Sequence, residues 1–378
     1  MADENHPAHL SPSELGTKDY WETFYARTLA HISIKHDSNT SSTAVPKDNN
    51  ASFASDECAT DDEIDDDSDP GTSWFSEHNA PDKVLQFLTD EAFPLAPCHT
   101  RRLETSEADD DDAQTQSYRS STSASASTGV SSPQSHSHSQ PCILDLGTGN
   151  GSMLALLRKR GKFTGDMVGV DYSPRSVELA RELQRLRIHS AYLSDSDSEA
   201  DSDGEDGSEG DKTDTNIRFE EWDILQSTDA LSGGDHEINR GERGERRLDW
   251  FPYDKGGFDI VLDKGTFDAV SLSEEVVEED NGIGDGNGNS LTNRKKVQRR
   301  VCECYPHIAR RLVRKGGFLV VTSCNWTEEE LIQWFTRKDE SSGSSEDRLQ
   351  VWGKVEYPRF RFGGKEGQGV CTVCFQRV

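Results

Sequence analysis

Short apolar strands alternate with amphipathic helices between residues 142 and 337, and this alternation restricts the fold more than any other feature of the sequence. Strands are predicted at 142–147, 166–173, 217–225, 258–265 and 316–326, and helices at 151–160, 174–187, 293–313 and 327–337. Helices that connect successive strands in this way make right-handed crossovers between parallel neighbours. The alternation therefore predicts an α/β, Rossmann-like, doubly wound fold with a mostly parallel sheet.

The sequence on either side of this core adds elements of a different kind. Aromatic residues at helical spacing predict an amphipathic helix at 15–32 with Thr17 as its N-cap, and a second short helix is predicted at 81–93. At the C-terminus, strands around 351–362 and 369–377 are separated only by the turn-like sequence KEGQ. Such a short connection predicts an antiparallel hairpin at the edge of the sheet.

Acidic residues are concentrated in segments that are too polar to join a folded core. The chain has 378 residues, a formal net charge of −29 and only 32% hydrophobic residues. Acidic segments cannot bury enough apolar surface to offset the loss of backbone entropy, so we expect them to be disordered inserts. The predicted organisation is a disordered N-terminus at 1–14 and one domain at 15–378. This domain begins with a helical part at 15–100, which contains an acidic insert at 36–70, and continues with a disordered acidic and Ser-rich insert at 101–140. Its core at 141–378 contains further disordered inserts at 190–215, 227–255 and 274–292.

The apolar segments and the cysteines indicate the compartment of the protein. No apolar leader is present and no apolar run is long enough to cross a bilayer, which predicts a soluble cytoplasmic protein without membrane contact. Cys302 and Cys304 form a C-x-C pair on a predicted helix, and Cys371 and Cys374 lie in a strand pattern that points them to opposite faces. Neither pair suits a metal, so we expect reduced structural thiols and no metal site.

A glycine-rich turn in the segment CILDLGTGNGSMLALL, which begins at Cys142, marks the candidate ligand site. Gly147 would permit the tight turn, while Gly149 and Gly151 would let a ligand approach the backbone. Ligands of open α/β sheets bind beyond the carboxyl ends of the strands, where this turn lies. The dinucleotide fingerprint G-x-G-x-x-G would require its third glycine at 152, where this chain has Ser152.

Three aspartates at the ends of successive strands indicate what the ligand is. Asp171, about 20 residues beyond the glycine turn, would hydrogen-bond ribose hydroxyls. Asp223 could accept a hydrogen bond from an adenine amine, with Trp222 and Ile224 flanking the ring, and Asp145 could bind an amino group. The set suits S-adenosylmethionine, while an NAD-linked oxidoreductase on the same core stays open as an alternative.

Several motifs carry a resemblance to a known family. The sequences LDLGTGNG, GVDYSP, EEWDIL and VLDKGTFDAVSL resemble those of the seven-strand, S-adenosylmethionine-dependent methyltransferases. Together with LGTKDYWETFY, the WF pair at 74–75, VTSCNWTEEEL and FRFGG, they look like the protein-lysine methyltransferases that modify translation elongation factor 1-alpha, in a branch with a fungal member. The resemblance implies a seven-stranded sheet, direct methyl transfer to a lysine amine without a metal, and elongation factor 1-alpha as protein partner. We further expect a monomer that does not bind nucleic acid directly, with Trp74 and Tyr172 in the cofactor site.

The segment after the fourth strand carries the candidate catalytic residues. Asp263 is expected to face the methyl donor and orient the incoming amine, with a cap of the KGTF turn as the alternative reading. Phe267 is expected to wall the lysine channel, and Asn325 and Trp326 to contact the substrate, although a packing role for Trp326 stays open. A small-molecule methyltransferase, which would need a lid over its pocket, and a non-catalytic binding module on a degenerate core are the remaining alternatives.

Overall fold

The computed structural model describes ten separate stretches of the chain. These are residues 7–40, 75, 78–100, 140–187, 216–226, 228–231, 247–280, 296–337, 347–362 and 365–378. The predicted inserts at 36–70, 101–140 and 190–215 lie outside the described residues, apart from 36–40 and Gln140. Trp74 also lies outside them.

Seven strands form one central sheet. The strands of the protein are β1 Ile143–Leu146, β2 Met167–Asp171, β3 Ile217–Glu221, β4 Phe258–Lys264, β5 Val276–Asp280, β6 Lys296–Arg300, β7 Val313–Ser323, β8 Leu349–Val355, β9 Arg359–Phe362, β10 Lys365–Gln368 and β11 Cys371–Arg377. The order in the sheet is β3-β2-β1-β4-β7-β11-β8. Neighbours from β3 to β7 are parallel, whereas β11 is antiparallel to both β7 and β8. The predicted fold class is therefore confirmed.

Helices cover both faces of this sheet. They are α1 Lys18–Thr40, α2 Ala80–Thr89, α3 Pro97–Thr100, α4 Ser152–Lys159, α5 Pro174–Leu186, α6 Thr266–Ser271, α7 Val301–Leu312 and α8 Glu328–Phe335. Helices α1, α2, α4 and α5 pack on one face of the sheet, and helices α7 and α8 pack on the other. The first core lies between the sheet and helices α1, α2, α4 and α5, and the second core lies between the sheet and helices α7 and α8. Successive residues of a strand alternate between these cores, so Cys374 lies in the first core and Cys371 in the second. The opposite orientation expected of these two thiols is confirmed.

Local sequence signals set the helix boundaries that matter for the site. Thr17 precedes α1, and its hydroxyl accepts a hydrogen bond from the Tyr20 N–H at 3.4 Å, as expected of an N-cap. Ser173 caps α5 by accepting from the Ser176 N–H, and Pro174 occupies the first helical position. These caps fix where α1 and α5 begin next to the carboxyl edge of the sheet.

The antiparallel C-terminal strands are confirmed, but the predicted helix at 293–313 and the predicted hairpin turn differ from the structure. Residues 296–300 of the predicted helix form strand β6, which pairs with β5, and the helix itself is α7, which begins at Val301. KEGQ is strand β10, which pairs with β9 in a separate two-stranded ribbon. Strands β8 and β11 are antiparallel, but no tight turn joins them, and β11 lies inside the sheet beside β7.

Parts of three segments predicted to be disordered are folded. Trp250 and Phe251, from the predicted insert 227–255, are buried in the second core. Their aromatic surface explains why this part of a charged loop packs. Residues 276–280 of the predicted insert 274–292 form β5. In the N-terminal segment, Leu10 packs against the same core, and the Ser13 N–H donates to the Leu272 carbonyl at 3.1 Å.

Candidate functional site

A cavity of about 180 Å³ opens at the carboxyl ends of β1, β2, β3 and β4. Its floor is the glycine-rich turn after β1, and α6 closes one side. The start of α1 forms a further wall with Lys18, Trp21, Phe24 and Tyr25. This is the edge at which open parallel sheets bind ligands.

The glycine turn brings backbone to the cavity at two of its three glycines. Gly147 and Gly149 have φ values of 57° and 58° and line the cavity. A Cβ at residue 147 would lie 2.3 Å from the Thr266 Oγ1, and one at residue 149 would lie 3.2 Å from the Tyr25 hydroxyl oxygen. Gly151, expected to bind the cofactor, lies instead where a Cβ would meet the Phe219 ring at 2.6 Å. Glycine at this position therefore leaves room for the Phe219 ring, which packs between the start of α4 and β3.

Gly147→Ala is expected to destabilise the fold and to reduce ligand binding in the cavity. Gly256→Ala is the matched control, because Gly256 also has a positive φ, of 70°, but no atom within 4 Å of an added Cβ. The control should cost about 1 kcal/mol of unfolding free energy for its backbone conformation alone. Gly147→Ala should cost at least about 1 kcal/mol more, because the new methyl group collides with Thr266. Equal losses in denaturant unfolding would contradict the tight contact at Gly147.

Asp171 and Tyr172 form the part of the wall at the end of β2. The Asp171 carboxylate is buried and accepts hydrogen bonds from the Gly149 N–H at 3.2 Å, the Ser173 N–H at 2.9 Å and the Ser176 hydroxyl at 2.7 Å. Burial raises its pKa to about 6. The Tyr172 hydroxyl donates to the Thr17 carbonyl at 3.3 Å, which ties the start of α1 to this strand.

The segment after β3 provides the expected aromatic and acidic groups. Trp222 and Asp223 both line the cavity, and Asp223 accepts from the Leu225 N–H at 2.9 Å. Trp222 is buried and packs edge-on against Trp250, with ring centres 5.4 Å apart. Its indole N–H has no hydrogen-bond partner among the residues that the structure describes. A buried donor of this kind in a cavity wall is suited to a nitrogen or oxygen acceptor on a ligand.

Asp145 lies behind the cavity wall and does not line the cavity itself. The residue is 2% exposed, and its carboxylate accepts a hydrogen bond at 2.9 Å from the hydroxyl of Thr148, which does line the cavity. Burial raises the pKa of Asp145 to about 6, an effect partly offset by the Thr148 hydrogen bond and the positive charge of Lys264. Asp145 can therefore act on a ligand through Thr148 and through its charge.

The structure does not bring Asp263 to the cavity. Its Oδ1 accepts from the backbone N–H groups of Thr266 at 2.9 Å and Phe267 at 3.1 Å, and its Oδ2 accepts from the Tyr305 hydroxyl at 2.8 Å. The side chain is buried, and burial raises its pKa to about 7. This is the alternative anticipated from the sequence, a cap for the turn that starts α6, and the expectation that Asp263 faces a methyl donor has no support in this geometry.

The other residues expected near the substrate lie away from the cavity as well. Phe267 is fully buried among Tyr305, Trp326 and neighbouring aromatic rings, so it is a core residue and not the wall of a channel. Trp326 is buried and donates its indole N–H to the Ser271 hydroxyl at 3.3 Å, in agreement with its alternative packing role. Asn325 is exposed and does not line the cavity.

The aromatic wall on α1 is the part of the site that sequence reasoning missed. Trp21, Phe24 and Tyr25 are among the residues at helical spacing that predicted a docked helix, but their spacing did not predict what the helix docks on. The neighbouring Glu22 has one carboxylate oxygen that is buried and without a hydrogen-bond partner in the described part of the chain. Its charge raises the pKa of both Asp171 and Tyr172, which places it on their side of the cavity.

The stretches that the structure describes contain neither a membrane-spanning helix nor a metal-binding cluster. No described helix is long and apolar enough to cross a bilayer. No group of three or more His, Cys, Asp or Glu side chains in these stretches is arranged to hold a metal ion.

Comparisons with known proteins find methyltransferases similar to this chain. A family described as a methyltransferase domain matches residues 137–197, which include the glycine turn and the end of β2. Protein-lysine N-methyltransferase EFM4 of Saccharomyces cerevisiae is 27% identical over 97% of this chain and 96% of its own length. Its counterpart efm4 in Schizosaccharomyces pombe is 24% identical over 97% of this chain and 95% of its own length. EEF1A lysine methyltransferase 2 of Homo sapiens is 27% identical over 62% of this chain and 65% of its own length. The chain therefore contains a methyltransferase domain, and it is similar along nearly its whole length to two fungal protein-lysine N-methyltransferases.

Proposed function

We propose that this chain uses S-adenosylmethionine to methylate a lysine side chain of translation elongation factor 1-alpha in the cytoplasm. The names of the yeast relatives support the lysine acceptor, and the name of the human relative supports the elongation factor. The observation that carries the proposal is the cavity at the ends of β1 to β4, where three lining carboxylates and an indole N–H without a partner among the described residues meet the glycine turn.

The residues of the cavity fit the parts of this cofactor. Trp222 and Asp223 offer one donor and one acceptor side by side, which is what the edge of an adenine ring requires. Two carboxylate oxygens have about four acceptor positions, and three of those on Asp171 are used within the protein, so roughly one is left for a ribose hydroxyl.

A dinucleotide suits the same cavity poorly. A pyrophosphate would bind to backbone N–H groups at the turn before α4. Here the Gly149 N–H already donates to the Asp171 carboxylate, whose negative charge would repel a phosphate at that place. The sequence-based alternative of an NAD-linked oxidoreductase is therefore disfavoured.

The chain contributes positioning and water exclusion to the reaction. When bound, the cofactor would supply a methyl group on a positively charged sulfur, which an uncharged amine can accept directly. A lysine has an unperturbed pKa of about 10.4, so its ammonium group must lose a proton before it can react. The apolar wall of Trp21, Phe24 and Tyr25 limits water at the cavity and favours the neutral amine, because burial disfavours the charged form.

Calorimetric titration of the full chain with S-adenosylhomocysteine and, separately, with NADH tests the cofactor. We expect binding of S-adenosylhomocysteine and no measurable heat with NADH. Binding of NADH alone would overturn the proposal in favour of the oxidoreductase. Binding of S-adenosylhomocysteine without transfer to any protein would favour the small-molecule methyltransferase.

Binding of S-adenosylhomocysteine is expected to weaken as the pH falls through about 6. The pKa of Asp171 is raised to about 6, so this carboxyl is ionised at pH 7.5 and mostly protonated at pH 5. If the ionised form accepts the ribose hydroxyl, affinity should fall about tenfold for each pH unit below that pKa. The measurement is the dissociation constant from pH 5 to pH 8. An unchanged constant across this range would contradict a role for ionised Asp171.

A further inference from the structure

Lys264 places a positive charge in the cavity wall at the end of β4. It is the last residue of that strand and pairs in register with Thr322 of β7. Its side chain is half-buried and lines the cavity. Its ammonium nitrogen lies 5.5 Å from the centre of the Phe75 ring, which restrains the charge by a cation–π contact.

The charges around the cavity are distributed unevenly. The lining carboxylates Asp171, Asp223 and Glu275 all raise the pKa of Tyr172, which places them on the β2 side of the cavity. Lys18 lies on that side too, with its ammonium nitrogen 5.5 Å from the centre of the Tyr172 ring. Strand β4 lies on the other side of β1, so Lys264 makes that side positive.

The ammonium of Lys264 has no direct counterion among the described residues, where it forms no ion pair or hydrogen bond. Burial raises the pKa values of Asp145 and the Cys324 thiol, and the charge of Lys264 offsets part of each rise, so its field reaches both groups. Partial burial of a charge without a counterion is unfavourable. A carboxylate that entered the cavity on this side would supply the missing counterion.

We propose that Lys264 binds the α-carboxylate of the amino-acid end of S-adenosylmethionine. This inference rests on the proposed function. The adenosine part then lies on the β2 and β3 side, where acceptors for its hydroxyls and its amine are concentrated, and the carboxylate lies on the β4 side. The asymmetry of charge fixes the orientation of the cofactor along the cavity. Lys264 is therefore a determinant of cofactor specificity.

Comparison of two ligands tests this assignment without reliance on turnover. Decarboxylated S-adenosylmethionine lacks only the carboxylate, so the ratio of its dissociation constant to that of S-adenosylmethionine measures what the carboxylate contributes. The ratio is determined by calorimetry for the unaltered chain and for Lys264→Met, which keeps an unbranched apolar stem against Phe75. We expect a preference of at least about tenfold for S-adenosylmethionine in the unaltered chain and little preference in Lys264→Met, as for two groups that interact directly.

Lys18→Met is the matched control, because it removes the other lysine of the cavity wall. This variant should keep the preference for S-adenosylmethionine over its decarboxylated form, even if it weakens the binding of both ligands equally. If Lys264→Met does not fold, Lys264→Gln and Lys264→Arg replace it, and only the arginine variant should retain the preference. An equal ratio in Lys264→Met and the unaltered chain, or no preference in the unaltered chain, overturns the assignment. Failure of the unaltered chain to bind either ligand overturns the proposed function instead.

Discussion

Asp171→Ala is expected to abolish measurable binding of S-adenosylhomocysteine and to lower the free energy of unfolding by about 2–5 kcal/mol. The substitution leaves the N–H groups of Gly149 and Ser173 and the Ser176 hydroxyl without their buried acceptor. Hydrogen bonds to a charged group contribute about 1.5–3 kcal/mol each, and the cost of burying the charge offsets part of that sum. Calorimetry and denaturant unfolding of the same preparation give the two quantities.

Asp223→Ala is the matched control for the stability effect. Asp223 lines the same cavity but accepts only the Leu225 N–H among the described residues, and it is half-buried. It should weaken ligand binding while it changes the free energy of unfolding by less than about 1 kcal/mol. Two results would contradict this account of Asp171. One is unchanged affinity in Asp171→Ala, and the other is a loss of stability no larger than in Asp223→Ala.

Asp263→Ala is expected to lower the free energy of unfolding by about 3–5 kcal/mol, whereas Asp263→Asn should not destabilise the fold and should leave cofactor affinity nearly unchanged. Alanine removes the acceptor of the Thr266 and Phe267 N–H groups and of the Tyr305 hydroxyl in a buried site. The asparagine side-chain oxygen can still accept from the two N–H groups, and its NH2 group can donate to the Tyr305 hydroxyl oxygen. Denaturant unfolding of both variants measures the difference.

The pH dependence of Asp263→Asn separates a structural role from a catalytic one. The pKa of Asp263 is about 7 in the folded chain, above its unfolded value of about 3.9. Between these two pH values Asp263 binds more protons in the folded chain than in the unfolded chain, so its contribution lowers the free energy of unfolding as the pH rises. Asp263→Asn lacks that loss and should gain stability over the unaltered chain from pH 4 to pH 7. A strong loss of methyl transfer at unchanged cofactor affinity would instead support the role expected from the sequence.

The contrast between Asp171 and Asp263 shows what the local sequence could predict. Asp171 is the last residue of β2 and Asp263 is the last but one of β4, so both were interpreted as ligands at the carboxyl edge of the sheet. Asp171 lines the cavity, but Asp263 is held by Tyr305, which lies 42 residues further along the chain. A contact at that separation has no signature in the residues around Asp263.

The same limit explains the other differences between expectation and structure. Strands β1, β2 and β4 were predicted because each has a mostly apolar run that is buried between two layers of helices. The helical spacing of Trp21 and Tyr25 predicted an amphipathic helix, whereas its place over Gly149 depends on the tertiary fold. KEGQ has the composition of a turn, yet it pairs with β9, because strand pairing depends on the partner as well as on propensity.

Mass spectrometry of purified elongation factor 1-alpha, after incubation with this chain and S-adenosylmethionine, tests whether this factor is the methyl acceptor. We expect a mass increase of one or more methyl groups on a lysine-containing peptide. No increase is expected with Asp223→Ala at a cofactor concentration that saturates only the unaltered chain. An unmodified elongation factor, in the presence of a chain shown by calorimetry to be saturated with the cofactor, would contradict the account.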